Sequence, residues 1–444
     1  MFIILILFFI GILLIVPHLF IVIKDKERYG QKIYLNKEFS VIIPCYNEDM
    51  VINETINSFI SKNYETTEVI FVNDGSTDHT LEILNKTLNL KIMDKQEDGV
   101  PTKAINAVYQ SRDHENIYVI DKVNGGKADS LNAGINFATR SYVVTLDADT
   151  ILKDDALYEM NKSLQDDDVI AVGGNVVVLQ GVKTFTNDNI VCEKKISLLE
   201  SVQFLEYLRG FFLFKNSYAK FKSLFVISGA FGVFRKDVML DIGGFRNTIG
   251  EDIDITIRFN KYALENKKRI LYNDKAICFT EVPNKLIDFF KQRVRWQKGY
   301  IDAVKYHFKF LLKNFLKCGL GFFMLIESGI FTCLSIGLTI YGVLFIGDNI
   351  FEKKPISIFI IMLTLCGLGI FFIYNLFVFF IISKSVLKIK TFGILKLFIV
   401  LIFEFLVYRM FLIFIILYGS IEFWFKPSGW NKVKRIGVAG KKEL

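Results

Sequence analysis

Histidine, cysteine and proline are all scarce in the 444 residues: four, six and six. Four dispersed histidines (His18, His79, His114, His307) cannot build a zinc motif. Cys45, Cys192, Cys278, Cys318, Cys333 and Cys366 show no CxxC spacing. This excludes a disulfide-stapled secreted domain and fits a reducing compartment. Few prolines and no short period exclude collagen-like and low-complexity chains. No His, Ser or Cys stands out as an activated nucleophile. What the chain has in quantity is phenylalanine, 44 residues, within a 52% hydrophobic content that excludes disorder. Yet 23% of the residues are charged, with a net charge of +8, more than an all-membrane bundle holds. The composition describes a water-soluble body attached to membrane segments.

Residues 1–23 contain no Asp, Glu, Lys or Arg. At about 1.5 Å per residue they are long enough to cross about 30 Å of hydrocarbon. The run ends directly in Lys24, Lys26 and Arg28, without the basic start and small-residue cleavage site of a signal peptide. It reads as an uncleaved anchor whose basic flank keeps the next segment cytoplasmic. His18 reads as a neutral, capped imidazole near its end, an intramembrane functional group being the alternative. Residues 39–282 alternate strand and helix signals. Apolar, β-branched runs at Ser40–Pro44, Glu68–Asn73, Ile117–Ile120, Tyr142–Leu146 and Val169–Val172 predict strands. Amphipathic patterns at Met50–Lys62, Thr77–Asn89, Lys127–Thr139 and Asp155–Leu164 predict helices. Continuous apolar strands between helices imply an α/β domain with a mostly parallel sheet covered on both faces.

Residues 283–317 are rich in Lys and Arg interleaved with aromatic and aliphatic residues, a pattern suited to helices on an anionic lipid surface. Because the stripe leads straight into hydrophobic stretches, a nucleic-acid partner is not expected. Residues 318–425 hold three apolar stretches, Gly319–Ile346, Pro355–Ile382 and Leu395–Phe425, and residues 426–444 form a basic tail expected in the cytoplasm. The connection Lys384–Lys396 is basic too. One span cannot join two cytoplasmic ends, so the last stretch is a hairpin, a partly interfacial helix, or an exception to the charge rule. Glu327, Glu404 and Arg409 interrupt the apolar stretches. They either line a path for a polar product or pair with a neighbouring helix.

Chemistry concentrates where a parallel sheet opens its crevice, at the carboxyl ends of the strands. The fourth predicted strand ends in Leu146-Asp147-Ala148-Asp149. Alternation along a strand would project both carboxylates to one side, where two hard oxygen donors suit Mg²⁺ or Mn²⁺ shared with a diphosphate. An ordinary acidic turn would look the same. The first strand ends in Pro44-Cys45-Tyr46-Asn47-Glu48 and the second in Asn73-Asp74-Gly75-Ser76. A tight turn with a helix cap explains Gly75 and Ser76 but leaves Asp74 to face a base or ribose. Gly126-Lys127 fails as a P-loop, since Asp121 stands where the first glycine belongs and Ala128 where Ser or Thr does. Lys127 remains a diphosphate partner at a helix start. Gly250-Glu251-Asp252 opens another helical stretch, and Gln292-Arg293-Val294-Arg295-Trp296 sits in the basic segment.

Taken in order, these six elements resemble the membrane-integrated family 2 glycosyltransferases, which include the cellulose, chitin, hyaluronan and poly-N-acetylglucosamine synthases. The resemblance covers roughly residues 40 to 300, and Gln203, Glu206-Tyr207 and Ser228-Gly229-Ala230 look most like the poly-N-acetylglucosamine branch. It implies a GT-A fold, a Rossmann-like α/β domain flanked by transmembrane and interfacial helices. It also implies a UDP-sugar donor, a polysaccharide or glycan acceptor, a divalent Mg²⁺ or Mn²⁺, contact with membrane lipid, and an accessory export subunit as a further partner. By the same resemblance Tyr46, Glu48, Asp74, Lys127 and Asp147 bind the nucleotide sugar, and Asp149 holds the metal. Asp252 is then the catalytic base, while Gln292, Arg295 and Trp296 form the acceptor side. Gly250 stands where the family most often has Thr, which bears on positioning rather than on the reaction. Two other readings use the same residues: a transferase adding one sugar to a lipid or short acceptor, and a non-catalytic nucleotide-sensing export subunit.

Overall fold

The computed structural model describes His18 and residues 37–61, 67–94, 99–186, 189–192, 196–315, 319–334, 358–385 and 394–425, with five positions between 336 and 347. The rest of the expected anchor, most of the basic connection and the tail 426–444 lie outside them. The predicted strands all form: β1 (Phe39–Cys45), β2 (Glu68–Asp74), β5 (Ile117–Lys122), β6 (Tyr142–Leu146) and β8 (Val169–Val178). Between and after them come strands that the sequence reading did not separate. These are β3 (Leu90–Met93), β4 (Ile105–Ser111), β7 (Ile151–Leu152), the hairpin β9 (Val182–Thr186) and β10 (Asn189–Cys192), β11 (Phe231–Arg235) and β12 (Arg269–Thr280).

Apart from that hairpin, they form one sheet in the order β3-β4-β5-β2-β1-β6-β11-β8-β12-β7. Neighbours β5, β2, β1 and β6 are parallel, whereas β11 runs antiparallel between β6 and β8. Both faces are covered, as the unbroken apolar runs require. Val41, Ile43, Val69 and Phe71 pack toward α1 (Ile52–Ile60) and α2 (Thr80–Leu88). Their neighbours Ile42, Ile70 and Val72 pack toward α3 (Lys127–Phe137) on the other face. The chain moves outward from β1 through β2 to β5, then α3 carries it back to β6 on the other side of β1. That reversal is the switch point at which such sheets open a ligand crevice, and it lies at the ends of β1 and β6.

After α4 (Ala156–Ser163), the helix α5 (Leu198–Tyr207) runs directly into a π-helical segment, Leu208–Lys215. Helix α6 (Glu251–Asn266) then leads into β12, and α7 (Leu286–Lys313) carries the basic stripe as one helix of 28 residues. The last element, α8 (Leu395–Phe425), is a single helix of 31 residues with a π-turn at Glu404–Tyr408, which removes the hairpin reading of that stretch. It is the one helix among the described residues long and apolar enough to cross a membrane. Leu395, Phe398, Leu406, Phe414, Ile421 and Trp424 stand exposed along it. Its inner face lies on α7, where Gln297 donates to Ser420 Oγ (3.1 Å) and Lys298 pairs with Glu422 (2.9 Å).

Of the ionisable groups in the apolar stretches, Glu404 pairs with Arg209, which also donates to Asn375 Oδ1 (2.5 Å). Glu404 thus takes the helix-pairing reading. His18 is buried, 2.7 Å from Ser217 Oγ and ringed by the edges of Phe214, Tyr218 and Phe323. That is the capped imidazole expected of it.

Candidate active site

Lys127, the first residue of α3, is the centre of the site. Its ammonium lies 2.7 Å from Asp147 Oδ1 at the end of β6 and 3.1 Å from Glu251 Oε1 at the start of α6. Burial works against its charge, but Asp147, Glu251 and then Asp252 hold its pKa above the ordinary lysine value. Glu251 is itself buried, and its pKa is raised by that burial and by Asp252 against the pull of Lys127 and Arg295. Room for the lysine comes from Gly229, where a β-carbon would stand 2.6 Å from Lys127 Nζ. Asp252 is half-buried beside this pair, its Oδ1 accepting from the Ile253 amide (2.9 Å) at the helix N-terminus. Three segments far apart in sequence therefore converge on one cation and its acidic neighbours.

The carboxylates after β6 depart from the expected geometry. The strand ends at Leu146, and Asp147–Thr150 is a turn closed by the Thr150 amide on the Asp147 carbonyl (3.0 Å). Strand alternation therefore does not set their directions. Asp147 reaches Lys127, whereas Asp149 is buried and accepts from Thr280 Oγ1 of β12 (3.3 Å). The turn is held from below by Thr55 Oγ1, which donates to the Ala148 carbonyl (2.5 Å). Asp74 is buried, its carboxylate accepting from Lys122 Nζ (3.0 Å), Gly125 N (2.9 Å) and Gly126 N (2.8 Å). With these donors in place it fixes the loop that starts α3. Tyr46 is exposed just beyond β1. Glu48, half-buried, follows in a loop stitched to the one after β2: its amide donates to Thr80 Oγ1 (2.7 Å), and Asn47 N to Ser76 Oγ (3.0 Å).

On α7, the Gln292–Trp296 motif faces the start of α6. Gly250 and Gly299 touch backbone to backbone, a β-carbon on either coming within 2.9 Å of the other's Cα. Among the described residues Gln292 Oε1 is buried and accepts no hydrogen bond. Trp296 is exposed on one side and lies under the Arg293 guanidinium, 4.3 Å from ring centroid to cation. Arg295 is half-buried and acts electrostatically on Glu251.

Several groups here escaped the sequence reading. Glu251, given no role of its own from the sequence, is a direct partner of Lys127. Arg293 looked like part of a lipid-binding stripe and is buried on Glu206 (2.8 Å). Lys215 closes the π-helical segment with its amine 4.1 Å from the Phe211 ring centroid. Burial lowers the Lys215 pKa to about 8, with Asp252 and Cys278 pulling the other way. Asp254 is wholly buried behind the site, 2.9 Å from Arg246 Nε, 2.8 Å from Arg258 Nε and 2.9 Å from His307 Nε2 of α7.

A lysine and paired acids thus gather at the switch point of a GT-A-like sheet, the fold shared by glycosyltransferases. The comparisons agree. Residues 40–243 match the family described as Glycosyl transferase family 2, and residues 142–425 match Glycosyl transferase family group 2. The chain belongs to the family 2 glycosyltransferases. It is similar to the poly-β-1,6-N-acetyl-D-glucosamine synthase of Staphylococcus epidermidis, with 30% identity over 263 residues, 59% of this chain and 54% of that protein. The same-named protein of Staphylococcus aureus (strain COL) is 31% identical over 261 residues, 58% of this chain and 53% of that one. The chain thus spans about half the length of the curated relatives it matches. Among solved structures, the mannosyltransferase PcManGT from Pyrobaculum calidifontis, in complex with GDP-Man and Mn²⁺, aligns over 93% of this chain and 95% of its own at a TM-score of 0.57 and 16% identity. At that identity the likeness is one of fold.

Proposed function

We propose that this chain is an inverting transferase that moves a sugar, N-acetylglucosamine, from a UDP-sugar to a growing β-linked polysaccharide at a membrane surface. The observation that carries this reading is the meeting of Lys127, Asp147, Glu251 and Asp252 at the switch point, with the Gln292–Trp296 helix docked against it at Gly250. Lys127 and Arg295 supply positive charge where the diphosphate leaving group gains negative charge, in a partly buried site where such charges act strongly. The acceptor hydroxyl attacks the anomeric carbon, the carbon–oxygen bond to UDP breaks, and Asp252 takes the hydroxyl proton. Attack from the face opposite the leaving group turns an α-linked donor into a β-link without a covalent enzyme intermediate. Trp296 offers an aromatic face for an acceptor sugar, and Gln292 a hydrogen-bond acceptor beside it. Tyr46 and Glu48 border the nucleotide side. Asp74 contributes by fixing the loop before Lys127.

Among the described residues no group of three or more metal-type ligands gathers; the carboxylate that would hold a divalent cation is Asp149, with Asp147 in the same turn already on Lys127. Mg²⁺ or Mn²⁺ commonly sits on one or two carboxylates and completes its shell from substrate phosphates. Bound there, it would neutralise the diphosphate. The exposed apolar face of α8 and the basic stripe of α7 support a membrane position, with lipid as a partner and the catalytic domain in the cytoplasm. The test is purified chain with a panel of UDP-sugars and Mg²⁺ or Mn²⁺, followed by digestion with linkage-specific hydrolases. High polymer from UDP-N-acetylglucosamine supports the proposal; a product of one added sugar returns the single-transfer reading, and no turnover returns the non-catalytic one.

A further inference from the structure

Glu206, the penultimate residue of α5, joins three elements. Its Oε2 accepts from the Tyr408 hydroxyl of α8 (2.5 Å) and from Arg293 Nη2 of α7 (2.8 Å), while its Oε1 accepts from Arg293 Nη1 (3.1 Å). A two-pronged carboxylate grip fixes the plane of a guanidinium, and a fixed plane can stack. Arg293 lies with its cation 4.3 Å from the Trp296 ring centroid and 5.0 Å from that of Phe289. Phe289 in turn packs on Tyr408 at 5.4 Å. Trp296 is 41% exposed, so burial alone does not hold its ring; the guanidinium face supplies a wall.

A second rung lies beside the first, Arg209 to Glu404, with Arg209 Nη1 3.2 Å from Glu404 Oε2. Glu206 and Arg209 stand three apart on one helix and Glu404 and Tyr408 four apart on the other, so both rungs cross the same pair of faces. Each helix changes to π geometry here, at Leu208–Lys215 and at Glu404–Tyr408. Such π segments are frequent at functional sites.

We propose that Tyr408 is a positioning residue for Trp296, acting through Glu206 and Arg293, so that the seating of the apolar C-terminal helix sets the acceptor side of the active site. The inference rests on the reading of Trp296 as an acceptor platform. It extends that reading by naming further residues, one of them on the apolar helix, that set how well an acceptor glycan is gripped. Losing the Tyr408 hydroxyl frees one edge of Glu206, loosens Arg293 and releases the ring.

The experiment compares Tyr408→Phe, Arg293→Lys and Trp296→Ala. The KM for a short N-acetylglucosamine oligomer is measured at saturating UDP-N-acetylglucosamine, and the donor KM at saturating oligomer. Trp296 emission is read separately with Trp424 and Trp430 both replaced by Phe, for Tyr408→Phe, Arg293→Lys and their parent. The expected result is an acceptor KM raised about five- to tenfold in Tyr408→Phe and Arg293→Lys, the size of one ordinary net hydrogen bond. The donor KM should stay within about twofold, because the relay ends on Trp296, which is assigned to the acceptor. Trp296 emission should shift in both variants. A general packing defect would instead move both KM values together, and that outcome overturns the proposal. So does unchanged emission with an unchanged acceptor KM, provided Trp296→Ala raises it. If emission shifts but Trp296→Ala leaves the acceptor KM at the wild-type value, the relay stands and the acceptor reading falls. Arg293→Lys keeps the test decisive should Tyr408→Phe fail to fold.

Discussion

Gly250 and Gly299 meet with no side chain between them: a β-carbon on Gly250 would stand 2.9 Å from the Cα and carbonyl oxygen of Gly299. The contact sets how closely α7, with Gln292 and Trp296, approaches Glu251 and Asp252. It also gives a physical reason for glycine at position 250. The Gly250 backbone has φ −113°, open to any residue, so the constraint is steric. Gly250→Thr is expected to push the helices apart, costing about 1–3 kcal/mol in stability as overpacking does. Transfer should fall at least about tenfold because both halves of the site move. Thermal unfolding and turnover of the same preparation check it.

Gly229 faces the far end of a flexible side chain: a β-carbon added there would meet Lys127 Nζ at 2.6 Å. The lysine can swing aside. Because that movement takes the ammonium away from the buried Glu251 carboxylate, Gly229→Ala should lower stability by about 1–3 kcal/mol. The donor KM should rise about tenfold as Lys127 leaves its place. A KM unchanged within twofold would mean that Lys127 does not meet the donor.

Asp254 supplies a pH dependence. Burial opposes its charge, but His307, Arg258 and Arg246 hold its pKa at about 2, below the ordinary carboxylate value of 3.8. A depressed carboxylate stabilises the fold above its unfolded pKa, and this contribution is lost as pH falls through the folded one. The shift corresponds to about 2 kcal/mol, present above pH ~4 and gone by pH ~2. Denaturant unfolding between pH 5 and pH 2 should show that slope, and Asp254→Asn should flatten it while lowering stability throughout.

Metal dependence gives a separate test. Activity should vanish in EDTA and return with Mg²⁺ or Mn²⁺, and Asp149→Ala should remove metal-dependent transfer. Rates unchanged in EDTA would separate Asp147 and Asp149 from any metal role.

Much of the fold was legible where a run of residues carries its own signal. Val41-Ile42-Ile43 and Val143-Val144 read as strands buried on both faces, and they are. Phe231–Arg235 did not read as a strand, because its role is to pair antiparallel between β6 and β8, a partnership no local pattern encodes. Along the site, Lys127, Asp147 and the Glu251-Asp252 pair were legible as types and as ends of elements. Their directions were not. Asp149 turns to Thr280, 131 residues away, and Asp74 to the loop at Gly125, 51 away. Arg293 finds Glu206 across 87 residues and Tyr408 finds it across 202. Such partners are set by tertiary packing, so each looked like a cap, a turn or a lipid contact until the helices met.

The central claim is that Asp252 is the base of a UDP-sugar transfer, and the most direct measurement pairs turnover with nucleotide binding in Asp252→Asn. With purified chain, UDP-N-acetylglucosamine and Mg²⁺, wild type should release UDP and build polymer. The variant should lose at least about 10³-fold in turnover, within the span that general-base catalysis contributes. It should still bind UDP within about threefold of wild type, since Asp252 is assigned to the acceptor proton and not to the nucleotide. Near wild-type turnover in Asp252→Asn would contradict the account.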